Sequence, residues 1–128
     1  MWSELEPLFA AACDGNLSPV VRDLEPADIR RLAAQDLIAV LIGTDDAGLA
    51  TVLALQFHMV NGRKGVDVIA MAGKKLLQFK NAFWQPILEW LKANGVQFVD
   101  AYTTPALARL YIKRFGFTES CAFVRMAL

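Results

Sequence analysis

Cysteine is scarce. Cys13 and Cys121 are the chain's two thiols, too few for a disulfide framework and at no paired spacing that binds zinc or runs redox chemistry. Both read as small buried apolar residues, and no metal site is expected. Long apolar runs are missing as well. Hydrophobic residues make up 55% of the chain, yet the longest uninterrupted run is LIAVLIG at 37–43, far short of the roughly 18 residues of a membrane span. The start, MWSELEP, has two carboxylates where a secretory signal carries basic residues, so a soluble, cytoplasmic chain is expected.

Net charge is absent too, with 13 basic and 13 acidic side chains. The balance is uneven along the chain. Residues 1–46 hold three basic and nine acidic side chains and the remainder ten and four, which gives −6 against +6. Without a net basic footprint, general nucleic-acid binding is disfavoured; the split suggests a polar partner surface or self-association. The basic stretch Arg63, Lys64, Lys74, Lys75 and Lys80 has no aromatic platform to make it a nucleic-acid site.

What is present is periodicity, in a length that suits a single domain over 1–128. Ser3 stands three residues before Glu6 at the head of an apolar face, the spacing of a capping box, and predicts a first helix ending at DGN, 14–16. Pro26 predicts the start of a second helix over about 26–35. LIAVLIG, the turn TDDAG and LATVLALQFHMV predict a β-hairpin, and the turn NGRKG leads to a third antiparallel strand, VDVIAMA. From Leu76 to Asn94 apolar residues recur at three and four, which predicts an amphipathic helix. Its apolar stripe holds Phe79, Phe83 and Trp90 as core residues, with Trp84 beside Pro86 as a partly exposed contact residue. Pro86 predicts a kink near Ala82 to Gln85, because an interior proline removes a hydrogen bond. VQFVDAYT reads as a buried strand, Pro105 to Phe115 as a last helix, and SCAFVRMAL as a closing strand. The predicted class is α/β (α+β), a mixed and mostly antiparallel sheet flanked by helices in the order ααβββαβαβ.

That order, and the motif LARLYIKRFGF at 107–117, resemble the GNAT family of acyl-CoA-dependent N-acetyltransferases. The resemblance implies an acyl-CoA lying where the family's fourth and fifth strands splay, with a strand N–H holding the thioester carbonyl. Here that strand is Val66 to Gly73, with Ala70 and Met71 at the mouth. The family cradles the pyrophosphate on a loop of Gln or Arg, two residues, Gly, one residue, then Gly or Ala. Counting back from Gly95 lays this pattern on Lys75, Gln78 and Lys80, with Phe79 between the last two. Long side chains fill both small positions, where backbone must approach phosphate closely. The family's general acid is a Tyr four residues before the Gly of Gly-Phe, which is Ile112 here. Tyr111 is one residue off, about 100° around a helix, and a one-residue helix bulge would bring it to that place. Pro105 stands where the family often has Asn. Asp67, Asp100 and His58 are the candidate bases for the incoming amine.

Two functions compete on these residues. One is a noncatalytic GNAT-fold protein, resembling the GNAT-like virion proteins of tailed phages, with other protein chains or copies of itself as partners, a place inside a virion, and no cofactor. The other is an acetyl-CoA-dependent N-acetyltransferase with an atypical phosphate loop, working through Tyr111 or water. A regulator that binds an acyl-CoA or a peptide without chemistry is a third.

Overall fold

The computed structural model describes residues 2–13, 25–73, 75–101, 103, 105–120, 124 and 126–128. Helix α1 (Trp2–Cys13) continues through Pro7. Helix α2 (Pro26–Ala34) begins on Pro26 as expected. Proline's missing N–H is one of the donors a first turn leaves without an acceptor anyway. The backbone N–H of Glu25 donates to Asp28 Oδ2 at 2.9 Å and closes that end. The expected turn at 14–16 and both cysteine side chains lie outside the described residues.

Four strands form one sheet in the order β1-β2-β3-β4. Strands β1 (Ile38–Asp45), β2 (Gly48–Val60) and β3 (Arg63–Gly73) are the expected antiparallel meander, and β4 (Phe98–Ala101) joins β3 in parallel. Asn61 and Gly62, both at positive φ, make the β2–β3 turn. Two such residues in succession give a connection whose twist matches that of the strands it joins.

Alternation along the strands sends side chains to two cores. On one face Val52, Ala54, Ile69, Ala70 and Ala72 meet Leu5 and Phe9 of α1 and Ile29 of α2. On the other, Leu53, Leu55, Val66, Val68 and Met71 meet the second helical layer. That layer is α3 (Leu76–Phe79), a π turn over Lys80–Trp84 and α4 (Gln85–Ala93), followed after β4 by α5 (Pro105–Leu110) and a second π turn over Tyr111–Phe115.

The kink expected at Pro86 takes the form of the first π turn, and it moves the apolar stripe. A π turn holds one more residue than an α turn, so positions beyond it are rotated by one residue. Phe79 keeps its predicted place in the core, but the next inward residue is Trp84, five positions on, followed by Ile87, Leu88 and Leu91. The expectations for three aromatics are therefore corrected. Trp84 is 6% exposed and its Nε1–H donates to the Phe115 carbonyl at 3.0 Å, whereas Phe83 and Trp90 are 46% and 41% exposed. These two, with Pro86, Leu41 and Gly43, line an open groove of about 550 Å³ beside the edge strand β1. Of the nine residues of the expected closing strand, 121–123 and 125 lie outside the described residues, and the five described ones, Ser120, Val124 and Met126–Leu128, are not in a strand.

Candidate active site

Strand β3 runs on past its neighbour β4, and the register shows where. Ala54 pairs with Ala70 and Leu55 with Val68, so Ile69 is an extra residue with no partner on β2, a bulge that bends β3. Strand β4 pairs with β3 from Gly65 to Val68 and no further. Among the described residues, Ile69–Gly73 therefore has no strand partner on its β4 side, and alternate backbone groups there remain free for a ligand. Ala70 and Met71, the expected mouth residues, lie in this stretch, Ala70 in one core and Met71 in the other.

Tyr111 reaches this region through the second π turn. The N–H of Gly116 donates to the Tyr111 carbonyl five residues back, so the turn holds one extra residue. A Tyr five residues before the glycine thus faces where a residue four before it would on an α-helix. Tyr111 is 2% exposed and Ile112 is 42% exposed. Of the two, Tyr111 and not Ile112 is therefore the inward side chain, because a straight-helix count misses the residue that the turn absorbs.

Tyr111 shares its core with Val68 and Met71, its ring 5.6 Å from Phe115 and 5.4 Å from Phe117. Its hydroxyl is buried and has no hydrogen-bond partner among the described residues. Burial pushes its pKa above the usual range, which keeps the phenol protonated, the form that donates.

On the opposite face the three candidate bases come together. Strand register places Gln56 beside Asp67 and Asp67 beside Asp100, with His58 two residues along β2. Nδ1 of His58 lies 3.6 Å from Asp67 Oδ1, and one donor atom from each of His58, Asp67 and Asp100 falls within 4.8 Å of the others. Asp67 is buried and the other two are half-buried. Burial first, and the Asp67 charge second, raise the Asp100 carboxyl above its ordinary value, while His58 draws it down. The ring of His58 packs on Phe98 at 5.5 Å. Gly65 makes that possible, since a Cβ there would stand 2.2 Å from the Phe98 ring and 2.9 Å from His58 Nε2.

The helix after β3 starts with Lys75 as cap residue and no side-chain cap, so its first N–H groups, at Leu76, Leu77 and Gln78, have no intrahelical acceptor. Lys75 Nζ is held by Asp45 Oδ2 at 2.6 Å; that bond, with the Ala47 N–H, keeps the Asp45 carboxyl below its usual value. Gln78 is exposed, Phe79 buried and Lys80 half-buried. The first π turn lies between this start and Gly95, so the count back from Gly95 slips by one. The family pattern then falls on positions 74, 77 and 79, which are Lys, Leu and Phe; the small residues are missing in this register as in the other.

No family model and no curated protein matches the sequence. Solved structures do resemble the chain. A ribosomal-protein-alanine N-acetyltransferase from Brucella melitensis biovar Abortus superposes with a TM-score of 0.68 at 12% identity, over 98% of this chain and 93% of that one. A GNAT family acetyltransferase from Staphylococcus aureus gives 0.60 at 10% identity, over 99% and 91%. A predicted acetyltransferase from Clostridium acetobutylicum, solved with acetyl-CoA, gives 0.56 at 12% identity, over 80% and 71%. At such identities the likeness is one of fold, and it agrees with the mixed four-stranded sheet, the flanking helix layers and the helix leading into Gly-Phe. The chain has the fold of the GNAT acetyltransferases.

Proposed function

We propose that the chain is an acyl-CoA-dependent N-acyltransferase, with acetyl-CoA as the donor. The observation that carries this reading is the inward Tyr111, whose buried hydroxyl lacks a partner. An orphaned polar group of this kind costs about 1–3 kcal/mol, a cost that a ligand atom opposite it would remove. The unpaired side of β3 and the free N–H groups at Leu76–Gln78 suit the same donor.

When bound, acetyl-CoA supplies an activated thioester. Free amides of Ile69–Gly73 are the groups that hold an acyl carbonyl. Tyr111 stands as the proton donor to a departing thiolate, a role worth typically 10² to 10⁴-fold. The carboxylates of Asp67 and Asp100, with His58, draw a cationic amine and take its proton before attack. Leu76–Gln78 N–H groups and Lys80 are the positions for the phosphates, with Lys75 available once it leaves Asp45. Holding amine and thioester together contributes the rest.

The noncatalytic assembly reading rests on the long side chains at the phosphate-loop positions and on Ile112 at the acid position; the loop lacks its small residues in either register, which favours that reading, while Tyr111 and not Ile112 faces inward, which favours the transferase. None of the solved structures described above supports the likeness to virion proteins. Thermal unfolding with and without acetyl-CoA tests the proposal. Saturation at a hundred times the dissociation constant adds about 2.7 kcal/mol, a rise of several degrees, and thiol release should follow when primary amines are added. An unchanged transition at millimolar acetyl-CoA would reject the proposal and restore the noncatalytic one.

A further inference from the structure

We propose that His58, Asp67 and Asp100 also form a binding site for a divalent transition-metal ion. Three neighbouring strands each supply one donor from the same face, and the sheet fixes their spacing. The donor atoms lie within 4.8 Å of one another. An ion bonded at about 2.0–2.2 Å to nitrogen and carboxylate oxygen separates its ligands by up to roughly twice that length, so small side-chain rotations close the set. The second observation is Nδ1 of His58. It is buried, it faces Asp67 Oδ1 at 3.6 Å, and it makes no hydrogen bond among the described residues. A ring nitrogen in that position, once it carries no proton, is a ligand for a metal.

Charge favours the same occupant. Two carboxylates side by side repel, and a doubly charged ion between them offsets that repulsion. One imidazole with two carboxylates selects zinc, cobalt or manganese over magnesium or calcium, because nitrogen is the softer donor. Phe98 against the imidazole and the space left by Gly65 orient the His58 ring from behind, as supporting residues do at metal sites. His58 and Asp100 are half-buried, which leaves coordination positions open to water.

This site stands independently of the acyltransferase reading. Joined to that reading it has a consequence: an ion on these lone pairs removes the proton acceptor, so metal and cationic amine exclude each other. Chelator-treated protein, with no acyl-CoA present, is titrated with Co²⁺ by visible absorption and with Zn²⁺ by calorimetry. One ion per chain is expected, weakened tenfold or more in His58→Gln and in Asp100→Asn. Circular dichroism of the variants confirms that each remains folded, Asp100→Asn being the milder change at a half-buried position. Absence of binding, equal affinity in both folded variants, or thiolate charge-transfer bands from Cys13 or Cys121 would each overturn the proposal.

Discussion

Two opposed demands meet at Tyr111. Its ring completes an aromatic cluster with Phe115 and Phe117, while its hydroxyl is buried with no partner. Removing a buried orphan group relieves its desolvation cost. Tyr111→Phe is therefore expected to raise stability by about 1 kcal/mol while lowering turnover about 10² to 10⁴-fold; chemical unfolding and a thiol-release assay check the two effects, and a variant that keeps full turnover sinks the acid role. The raised Tyr111 pKa also gives a sign. The folded chain keeps this proton when the unfolded chain loses it, so the contribution is complete below the ordinary tyrosine value of 10.0 and declines as pH rises above it. The alkaline fall in melting temperature should be shallower in Tyr111→Phe. Asp100 follows the same rule in acid. Its raised pKa means that its contribution is complete below the ordinary aspartate value of 3.8 and is lost as pH climbs through the folded value. Asp100→Asn should melt higher than wild type near neutral pH, with the gap closing near pH 3; a constant gap would remove the electrostatic account.

At the scale of elements, both long helical segments after β3 contain a π turn, and each one changes which residues face inward. In the first segment the turn sits just before Pro86, so the carbonyl of Ala82, which an α-helical residue 86 would bond, is already within the irregular turn and the proline costs little. In the second it absorbs one residue between Tyr111 and Gly116. Deleting Ile112 should let this turn relax to α-helix with Tyr111 still inward, four residues before the glycine. Stability equal to or above wild type is expected, with thiol release retained. A folded deletion variant without activity would show that the π turn does more than keep register. The amphipathic pattern of 76–94 was visible in the sequence as a helix, but the phase of its inner face was not. An extra residue in a turn leaves the apolar spacing plausible for either phase, and packing against the sheet selects Trp84 over Phe83 and Trp90.

At the scale of the molecule, the charge split along the chain becomes a split between layers. Helices α1 and α2 carry Glu4, Glu6, Glu25 and Asp28 against Arg30 and Arg31, or −2 by four acidic and two basic residues, Glu25 counted as the α2 cap. The layer on the other face of the sheet carries Lys75, Lys80, Lys92, Arg109, Lys113 and Arg114 against Glu89, or +5 by six and one. A basic layer beside the start of α3 attracts a phosphate-bearing donor through solvent, and salt screens such attraction within about 10 Å at 0.1 M. The dissociation constant of acetyl-CoA should therefore rise several-fold between about 50 and 500 mM salt. Calorimetry across that range decides the matter, since a flat response would assign affinity to direct backbone contacts alone.

Local pattern by itself determined the element order as far as the last helix, the Asn-Gly turn and the helix starts at Pro26 and Pro105, because period-two alternation, paired Asn-Gly and a first-position proline act over a few residues; it misplaced the start of α1, which takes in Ser3 rather than being capped by it. It also named His58, Asp67 and Asp100 singly. Only the tertiary structure decided that these three meet, since strand register joins residues from three separate elements, and only the tertiary structure turned Tyr111 inward, since a π turn is selected by what the helix packs against. Counting along a chain assumes a constant rotation per residue, and at both helices that assumption gives way to the packing of aromatic side chains on the sheet.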